Sequence, residues 1–196
     1  MGKKTLVLDT ASKYLYFAFL DDDNIVYDCF LEGQNNHSEN LLKEIEKGLE
    51  KENFKLKDFQ KIIVGIGPGS YTGLRVSVTV AKMLAWTANI PIFSLSSLTL
   101  LASGRLDKDG IYAITMKAKK DAIYGKLVEV KNGKVLEIIP DDFFFEKEFF
   151  EKIKEYDYTL INEVNYLVNP LKLNGEKVEN VHALNPNYIQ KGVWIT

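Results

Sequence analysis

Runs of apolar residues predict three strands at the beginning of the chain. They cover residues 4–9, 14–20 and 25–31 and are rich in the β-branched and aromatic side chains that favour strands. Asp and Asn at positions 21–24 join the second run to the third, and these residue types are typical of tight turns because their side chains bond nearby backbone groups. We therefore expect an antiparallel hairpin, with Cys29 as a buried hydrophobic residue within it.

The next apolar positions recur at helical spacing and predict an amphipathic helix near residues 37–51. Asn36 and Glu39 stand at the spacing of a capping box at its start. Its apolar stripe consists of Leu41, Leu42, Ile45 and Leu49. The following pattern predicts a strand at 61–66, a helix at 70–88, a strand at 92–94 and a helix at 96–103.

The second half of the chain repeats part of this plan. Strands are predicted at 111–116, 122–130 and 134–139, with a hairpin signal at Asn132-Gly133, followed by a helix at 144–155 and a strand at 158–161. The tail has no regular pattern, and we expect Trp194 to be a packing anchor. The order of elements predicts an α/β protein with mixed sheets and two lobes, residues 1–104 and a smaller lobe at 105–196.

A glycine-rich loop lies between the predicted strand at 61–66 and the helix at 70–88. Its notable residues are Gly65, Gly67, Pro68, Gly69, Ser70, Thr72, Gly73 and Arg75. So many glycines indicate a backbone that comes close to something, either a phosphate or another protein chain. The spacing matches neither a Walker A loop nor a dinucleotide fingerprint, because the lysine of the first and the third glycine and later acid of the second are absent.

The helix at 70–88 is apolar almost all round, so we expect it to be buried on more than one side. Two interpretations stay open: a central helix under the second lobe, or a helix whose outer face meets another chain. The small residues Val78, Ala81 and Ala85 would let a partner helix approach closely. Arg75, in the first turn, is disfavoured by the helix dipole, which predicts either a structural salt bridge or a bound anion.

Composition narrows the class of protein. The 196 residues carry a formal net charge of −2, so no global basic field attracts nucleic acid. A single cysteine favours a reducing compartment, which we expect to be the cytoplasm, and no segment is apolar enough to span a membrane. The two histidines, His37 and His182, are far apart in sequence, so we expect no metal and no cofactor.

Five segments together resemble the bacterial TsaB (YeaZ) family: residues 6–11, 36–42, 65–75, 81–85 and 96–102. The resemblance implies a two-lobed ASKHA (actin-like ATPase, ribonuclease H-like) fold with a reduced second lobe. It also implies a part in making N6-threonylcarbamoyladenosine at position 37 of tRNA (t6A37). In that system a TsaD-type subunit is the catalyst, the TsaB-type subunit binds and activates it, and a TsaE-type ATPase joins the pair.

The residues favour the non-catalytic, TsaB-type member of that pair. The catalytic relative carries an H-x-x-x-H metal motif after the glycine-loop helix and the next strand, where this chain has Ser97 and Leu101. Neither side chain replaces an imidazole at a metal. His37 has Leu41 four residues on, which is no ligand pair, and a capping or surface role is expected for it.

We therefore expect no catalytic, metal or cofactor site and a partner interface built from two helices. The candidate interface residues are Leu41, Leu42, Ile45, Leu49, Leu74, Val78, Ala81, Lys82 and Ala85. The same surface is expected to form a homodimer when the partner is absent, and tRNA is expected to be contacted only indirectly. The alternative is an ASKHA-type nucleotide-binding enzyme or a peptidase-like protein, with phosphate held by Asp9, Thr10, Ser12 and the glycine loop.

One segment departs from the family. TsaB relatives often carry Asp-Ala-Arg at the first strand of the second lobe, where this chain has Lys117-Ala118-Lys119 followed by Lys120. The basic residue Lys117 therefore stands where those relatives have the acidic residue. The lysines indicate either a solvated strand end or a patch that faces RNA.

Overall fold

The structure is a computed structural model, and it describes residues 2–32 and 37–189. Its strands are β1 Lys4–Asp9, β2 Tyr14–Asp21, β3 Asn24–Glu32, β4 Phe59–Gly65, β5 Ile92–Leu95, β6 Gly110–Lys119, β7 Ala122–Lys131, β8 Lys134–Phe145, β9 Tyr158–Ile161 and β10 Glu176–Lys177. Its α-helices are α1 His37–Lys51, α2 Tyr71–Ala88, α3 Ser97–Ala102 and α4 Glu146–Ile153. Short 3₁₀ turns lie at Leu56–Asp58, Pro170–Lys172 and Val181–Ala183.

Two mixed sheets form the framework. The first has the order β10-β5-β4-β1-β2-β3, with β1, β2 and β3 antiparallel and β4 parallel to both β1 and β5. The second has the order β8-β7-β6-β9, in which β9 is parallel to β6. Strand β10 pairs with β5, so the C-terminal segment returns to the first sheet. The predicted α/β fold with mixed sheets is confirmed.

The alternation of side chains along β1 divides the interior into two cores. Val7 faces the first core, which lies between the first sheet, α3 and the second sheet. Leu6 and Leu8 face the second core, which lies between the opposite face of that sheet and the helices α1 and α2. A smaller third core joins α4 to the second sheet around Phe149. Cys29 is buried in the second core, as predicted.

Both predicted hairpins are present. Asp22 has a φ of 52°, and Asn132 and Gly133 have φ values of 52° and 71°, which a tight primed turn requires. The prediction was wrong where β8 meets α4. The strand continues through Pro140 to Phe145, and Phe144 pairs with Ile123 instead of beginning the helix.

Some expectations fall outside the residues that the structure describes. Asn36 and the side chain of Glu39, which form the expected capping box, are among them, as are the side chain of His37 and the expected anchor Trp194. Strand β10 was not predicted, because two exposed residues carry no periodic signal. Among the described residues, no helix is long and apolar enough to cross a membrane.

Candidate functional site

The glycine loop packs against the turn that follows β1. An ideal Cβ on Gly73 would lie 1.9 Å from the carbonyl oxygen of Thr10, and one on Gly69 would lie 2.4 Å from that of Ala11. No side chain is accommodated at such distances, so glycine is required at both positions. The close approach predicted for this loop is therefore an approach to backbone of the same chain.

Polar groups of the loop bond to that same turn. The N–H of Ser70 donates to the carbonyl oxygen of Ala11 at 2.6 Å, and the Thr10 hydroxyl donates to the carbonyl oxygen of Gly73 at 2.7 Å. The Ser70 hydroxyl accepts from the N–H of Gly73 at 3.3 Å and caps α2. These contacts put backbone of residues 10–11 directly against the loop.

Asp9 and Ser97 form a buried polar pair beneath the loop. The Ser97 hydroxyl donates to Asp9 Oδ2 at 2.5 Å and accepts from the N–H of Gly67 at 2.9 Å, while the N–H of Ala11 donates to Asp9 Oδ1 at 2.8 Å. Burial raises the pKa of Asp9 from 3.8 to about 6, and the hydrogen bonds from Ser97 and Ala11 oppose that rise. A Cβ on Gly65 would lie 1.8 Å from Asp9 Oδ2, which explains this glycine.

Asp9 and Thr10, two of the residues that the nucleotide-binding alternative assigned to phosphate, are engaged within the protein. Both oxygens of the Asp9 carboxylate are engaged by protein donors, and Thr10 is wholly buried. Leu101 is fully buried in the first core, and Ser97 is bonded to Asp9. Within residues 2–32 and 37–189, no three His, Cys, Asp or Glu side chains converge where they would hold a metal ion.

Most residues predicted to form the partner interface lie in the interior. Those that are buried are Leu41, Ile45, Leu74, Val78, Ala81 and Ala85, while Leu49 and Lys82 are half-buried and Leu42 is exposed. The expectation that Val78, Ala81 and Ala85 face outward is corrected. These three side chains face the second core, because α2 lies over the first sheet beside α1.

Another set of α2 side chains reaches solvent. This outer stripe consists of Tyr71, Arg75, Thr79, Met83 and Trp86. Trp86 is 71% exposed, Tyr71 52% and Met83 45%. Spacings of three and four residues keep the five on one face of the helix. Large aromatic and Met side chains left exposed together are typical of a binding surface.

The C-terminal segment 181–188, here called the strap, runs beside the outer stripe. The Lys82 ammonium donates to the carbonyl oxygens of His182 and Leu184, both at 3.0 Å. The ring of Tyr188 lies 4.9 Å from that of Tyr71, and Leu184 is buried in the second core. Residues 181–188 are therefore fixed along α2.

Arg75 has no carboxylate partner within the part of the chain that the structure describes. Its guanidinium donates to the Tyr71 hydroxyl at 2.8 Å and lies 5.3 Å from the centre of that ring. The salt bridge predicted as one alternative for this residue is not formed there. The other alternative, a bound anion, stays a prediction.

The lysines at positions 117, 119 and 120 line a cavity of about 690 Å³ together with Lys13 and Glu163. Ser12, which follows β1, and Gly69 and Ser70 of the glycine loop line the same cavity. Glu163 accepts from the backbone of Lys117 and lies near Lys13, and burial raises its pKa. Lys119 lies 5.3 Å from the ring of Phe143. The patch is thus of mixed charge, and its contact with RNA stays a prediction.

An ion cluster around the buried Lys126, which sequence reasoning missed, joins the second sheet to α3. Lys126 of β7 lies 3.3 Å from Asp141 and 3.0 Å from Glu137, and it donates to the Thr99 hydroxyl of α3 at 3.2 Å. Ser96 donates to the other oxygen of Asp141 at 2.8 Å. The available signal was a lysine on a strand face otherwise occupied by Tyr and Val residues of the first core.

Comparisons with known proteins identify the family. A family model described as TsaD, tRNA N6-adenosine threonylcarbamoyltransferase, matches residues 32–168. The tRNA threonylcarbamoyladenosine biosynthesis protein TsaB of Bacillus subtilis is 32% identical over 176 residues, which are 90% of this chain and 75% of that protein. The chain belongs to the TsaB (YeaZ) family. The TsaB protein of Escherichia coli is 31% identical over 124 residues, 63% of this chain and 52% of that protein.

Solved structures share the fold of this TsaB-family chain. YeaZ from Pseudomonas aeruginosa superposes with a TM-score of 0.67 and 22% identity over 73% of this chain and 68% of its own. A protein described as similar to peptidase YeaZ from that organism gives 0.78 and 19% identity over 96% and 100%. The ASKHA fold predicted from the resemblance is confirmed.

Proposed function

We propose that this chain is an accessory subunit in tRNA t6A37 synthesis, which binds and activates a TsaD-type catalytic subunit and does not itself catalyse the transfer. One observation carries the proposal. The glycine loop, where an ASKHA enzyme would hold phosphate, is bonded to backbone of the same chain, while the outer stripe of α2 is left exposed. The names of the relatives support the pathway.

The docking surface that we propose is the outer stripe together with Leu42 of α1. Leu42 is the exposed residue among the interface candidates predicted from the sequence. Trp86 and Met83 supply the large apolar area that anchors an interface, and Tyr71 adds a hydroxyl at its edge. In the absence of the catalytic subunit, a second copy would use the same surface. A TsaE-type ATPase would join the assembled pair, and tRNA would bind to the assembly.

A direct test measures association with the TsaD-type subunit by isothermal titration calorimetry. We expect micromolar or tighter binding by the wild type and a loss of at least 100-fold for Trp86→Glu, because a charge is placed where an apolar anchor is desolvated. Val164→Glu is the control, since Val164 is 93% exposed and lies outside α2. Equal affinity of Trp86→Glu and wild type would remove the outer stripe from the interface.

Substitutions at Val78 or Ala85 are unsuitable for this purpose. Both residues face the second core, so a glutamate there would unfold the chain before it tested any interface.

Reconstitution tests the activating role. Mixed with the other subunits and tRNA, the wild-type chain should restore t6A formation, and Trp86→Glu should not. Titration of the isolated chain with ATP and Mg²⁺ addresses the enzyme alternative. We expect no heat of binding, and micromolar affinity would favour a nucleotide-binding enzyme instead.

A further inference from the structure

A cavity of about 270 Å³ lies between the outer stripe and the strap. Arg75 and Lys82 contribute to its α2 wall, and Pro186 and Tyr188 contribute to the opposite wall. Hydrogen bonds from Lys82 to strap carbonyls and the contact between the tilted rings of Tyr188 and Tyr71 hold the two walls together. The cavity is therefore a built feature of the docking face, since Arg75 and Thr79 belong both to it and to the outer stripe.

The charged side chains that line this cavity are all positive. Arg75 and Lys82 are its two cations, and none of the residues that line it is acidic. Both cations have neutral partners within residues 2–32 and 37–189: the Tyr71 hydroxyl for Arg75, and two backbone carbonyls for Lys82. A guanidinium carries five N–H donors, and among the described residues one of them, on Nη1, has a hydrogen-bond acceptor, the Tyr71 hydroxyl. The cavity thus offers two positive charges, with no acidic side chain among the residues that line it.

We propose that this cavity receives the carboxylate of an Asp or Glu side chain from the TsaD-type subunit docked on the outer stripe. The inference rests on the proposed function. A carboxylate matches the fork of donors on a guanidinium, and the ring of Tyr71, which lines the cavity beside Arg75, would help to exclude water from the pair once the partner is seated. The pair would fix the register of the partner helix along α2, while Trp86 and Met83 supply the apolar contact.

The experiment compares three substitutions of one exposed residue by calorimetry with the TsaD-type subunit. We expect Arg75→Gln to weaken binding about tenfold and Arg75→Glu about 100-fold. Arg75→Lys should fall between the wild type and Arg75→Gln, because lysine keeps the charge but lacks the fork of donors. Lys131→Gln, an exposed cation in the β7–β8 hairpin, is the matched control and should bind like the wild type. Melting temperatures should agree within about 2 °C, since Arg75 is on the surface.

A charge-swap scan then identifies the occupant. Each acidic residue on the docking helices of the partner is changed to lysine, and we expect one such variant to restore binding to Arg75→Glu while it weakens binding to the wild type. Wild-type affinity of Arg75→Glu, or the absence of any restoring variant, would overturn the carboxylate proposal and leave docking by the outer stripe intact. A change in homodimer affinity alone would assign the cavity to a second copy and overturn the proposal. Failure of the wild type to bind would instead overturn the proposed function.

Discussion

The glycine loop and the outer stripe of α2 are neighbours in the chain. They differ in whether their polar groups and side chains find partners within the protein. In the loop, the Ser70 N–H and the Gly73 carbonyl bond to the turn that follows β1. On the outer stripe, Trp86 is mostly exposed, and among the described residues Arg75 donates to a neighbouring tyrosine. The backbone of the loop is thus hydrogen-bonded within the chain, while the outer stripe keeps exposed side chains.

This difference shows that a distinctive sequence motif, such as the glycine loop, need not be a binding surface. Glycines concentrate in the loop because backbone meets backbone there, which is a requirement of folding. A surface that binds a partner needs exposed apolar area and uncompensated polar groups, and the outer stripe has both. The predictions below test the two regions against each other.

The largest effect on stability is expected when a side chain is added to the glycine loop. Gly73→Ala should lower the free energy of unfolding by about 4 kcal/mol or more, because its Cβ would meet the Thr10 carbonyl at 1.9 Å. Gly133→Ala is the matched control and should cost only about 1 kcal/mol, since only its positive φ is unfavourable and nothing lies within 4 Å. Urea denaturation measures both, and equal losses would refute the close approach.

The next-largest effect on stability is expected at Lys126, a cation that is buried, unlike the exposed Arg75. Lys126→Met should destabilise the chain by about 3 kcal/mol, because Asp141 would keep a largely buried charge without its partner. The double variant Lys126→Met/Asp141→Leu should recover at least half of that loss. Lys134→Met, on the exposed part of β8, serves as the control. Additive losses in the double variant would show that the two side chains are not coupled.

The buried acid under the loop gives a pH dependence. Because the pKa of Asp9 is raised from 3.8 to about 6, its contribution to stability is complete below pH 3.8 and is lost as the pH rises through 6. Relative to Asp9→Asn, the wild type should therefore lose about 2 kcal/mol of unfolding free energy between pH 4 and pH 8. Denaturation of both proteins at several pH values measures this, and a constant difference would contradict it.

The smallest effect on stability is expected at the outer stripe. Trp86→Ala should change the unfolding free energy by less than about 0.5 kcal/mol, because the indole is 71% exposed. Its ring meets that of His182 in the strap at 4.8 Å. Affinity for the TsaD-type subunit should nevertheless fall sharply. A loss of stability comparable to that of Gly73→Ala would mean that Trp86 serves the fold.

Local pattern was enough for most elements of the fold. The runs that predicted β1, β2, β7 and β9 are strands with nearly the same bounds, and α1 and α2 match their periodicity. Strand β8 was predicted too short because Pro140 signalled an end, yet the strand bends there through a register shift against β7 and continues. Strand β10 exists only because β5 offers it an edge.

The candidate interface was predicted less well, for a definite reason. Apolar residues on all sides of α2 indicate burial without telling which side another chain would cover. Val78 and Ala85 are buried by α1 and the first sheet, and α1 is separated from α2 in sequence by β4. Leu42 is the one apolar member of the set that is exposed.

By itself the sequence determined the order of strands and helices, the glycine requirement of the loop and the family, because each of these depends on local spacing or on residue type. Only the tertiary structure decided what the glycines approach and which face of α2 is free. Both depend on segments distant in sequence, namely the turn after β1 and the strap at 181–188. Long-range packing of this kind leaves no periodic signal, and it shifted the proposed docking surface from the buried face of α2 to its exposed face.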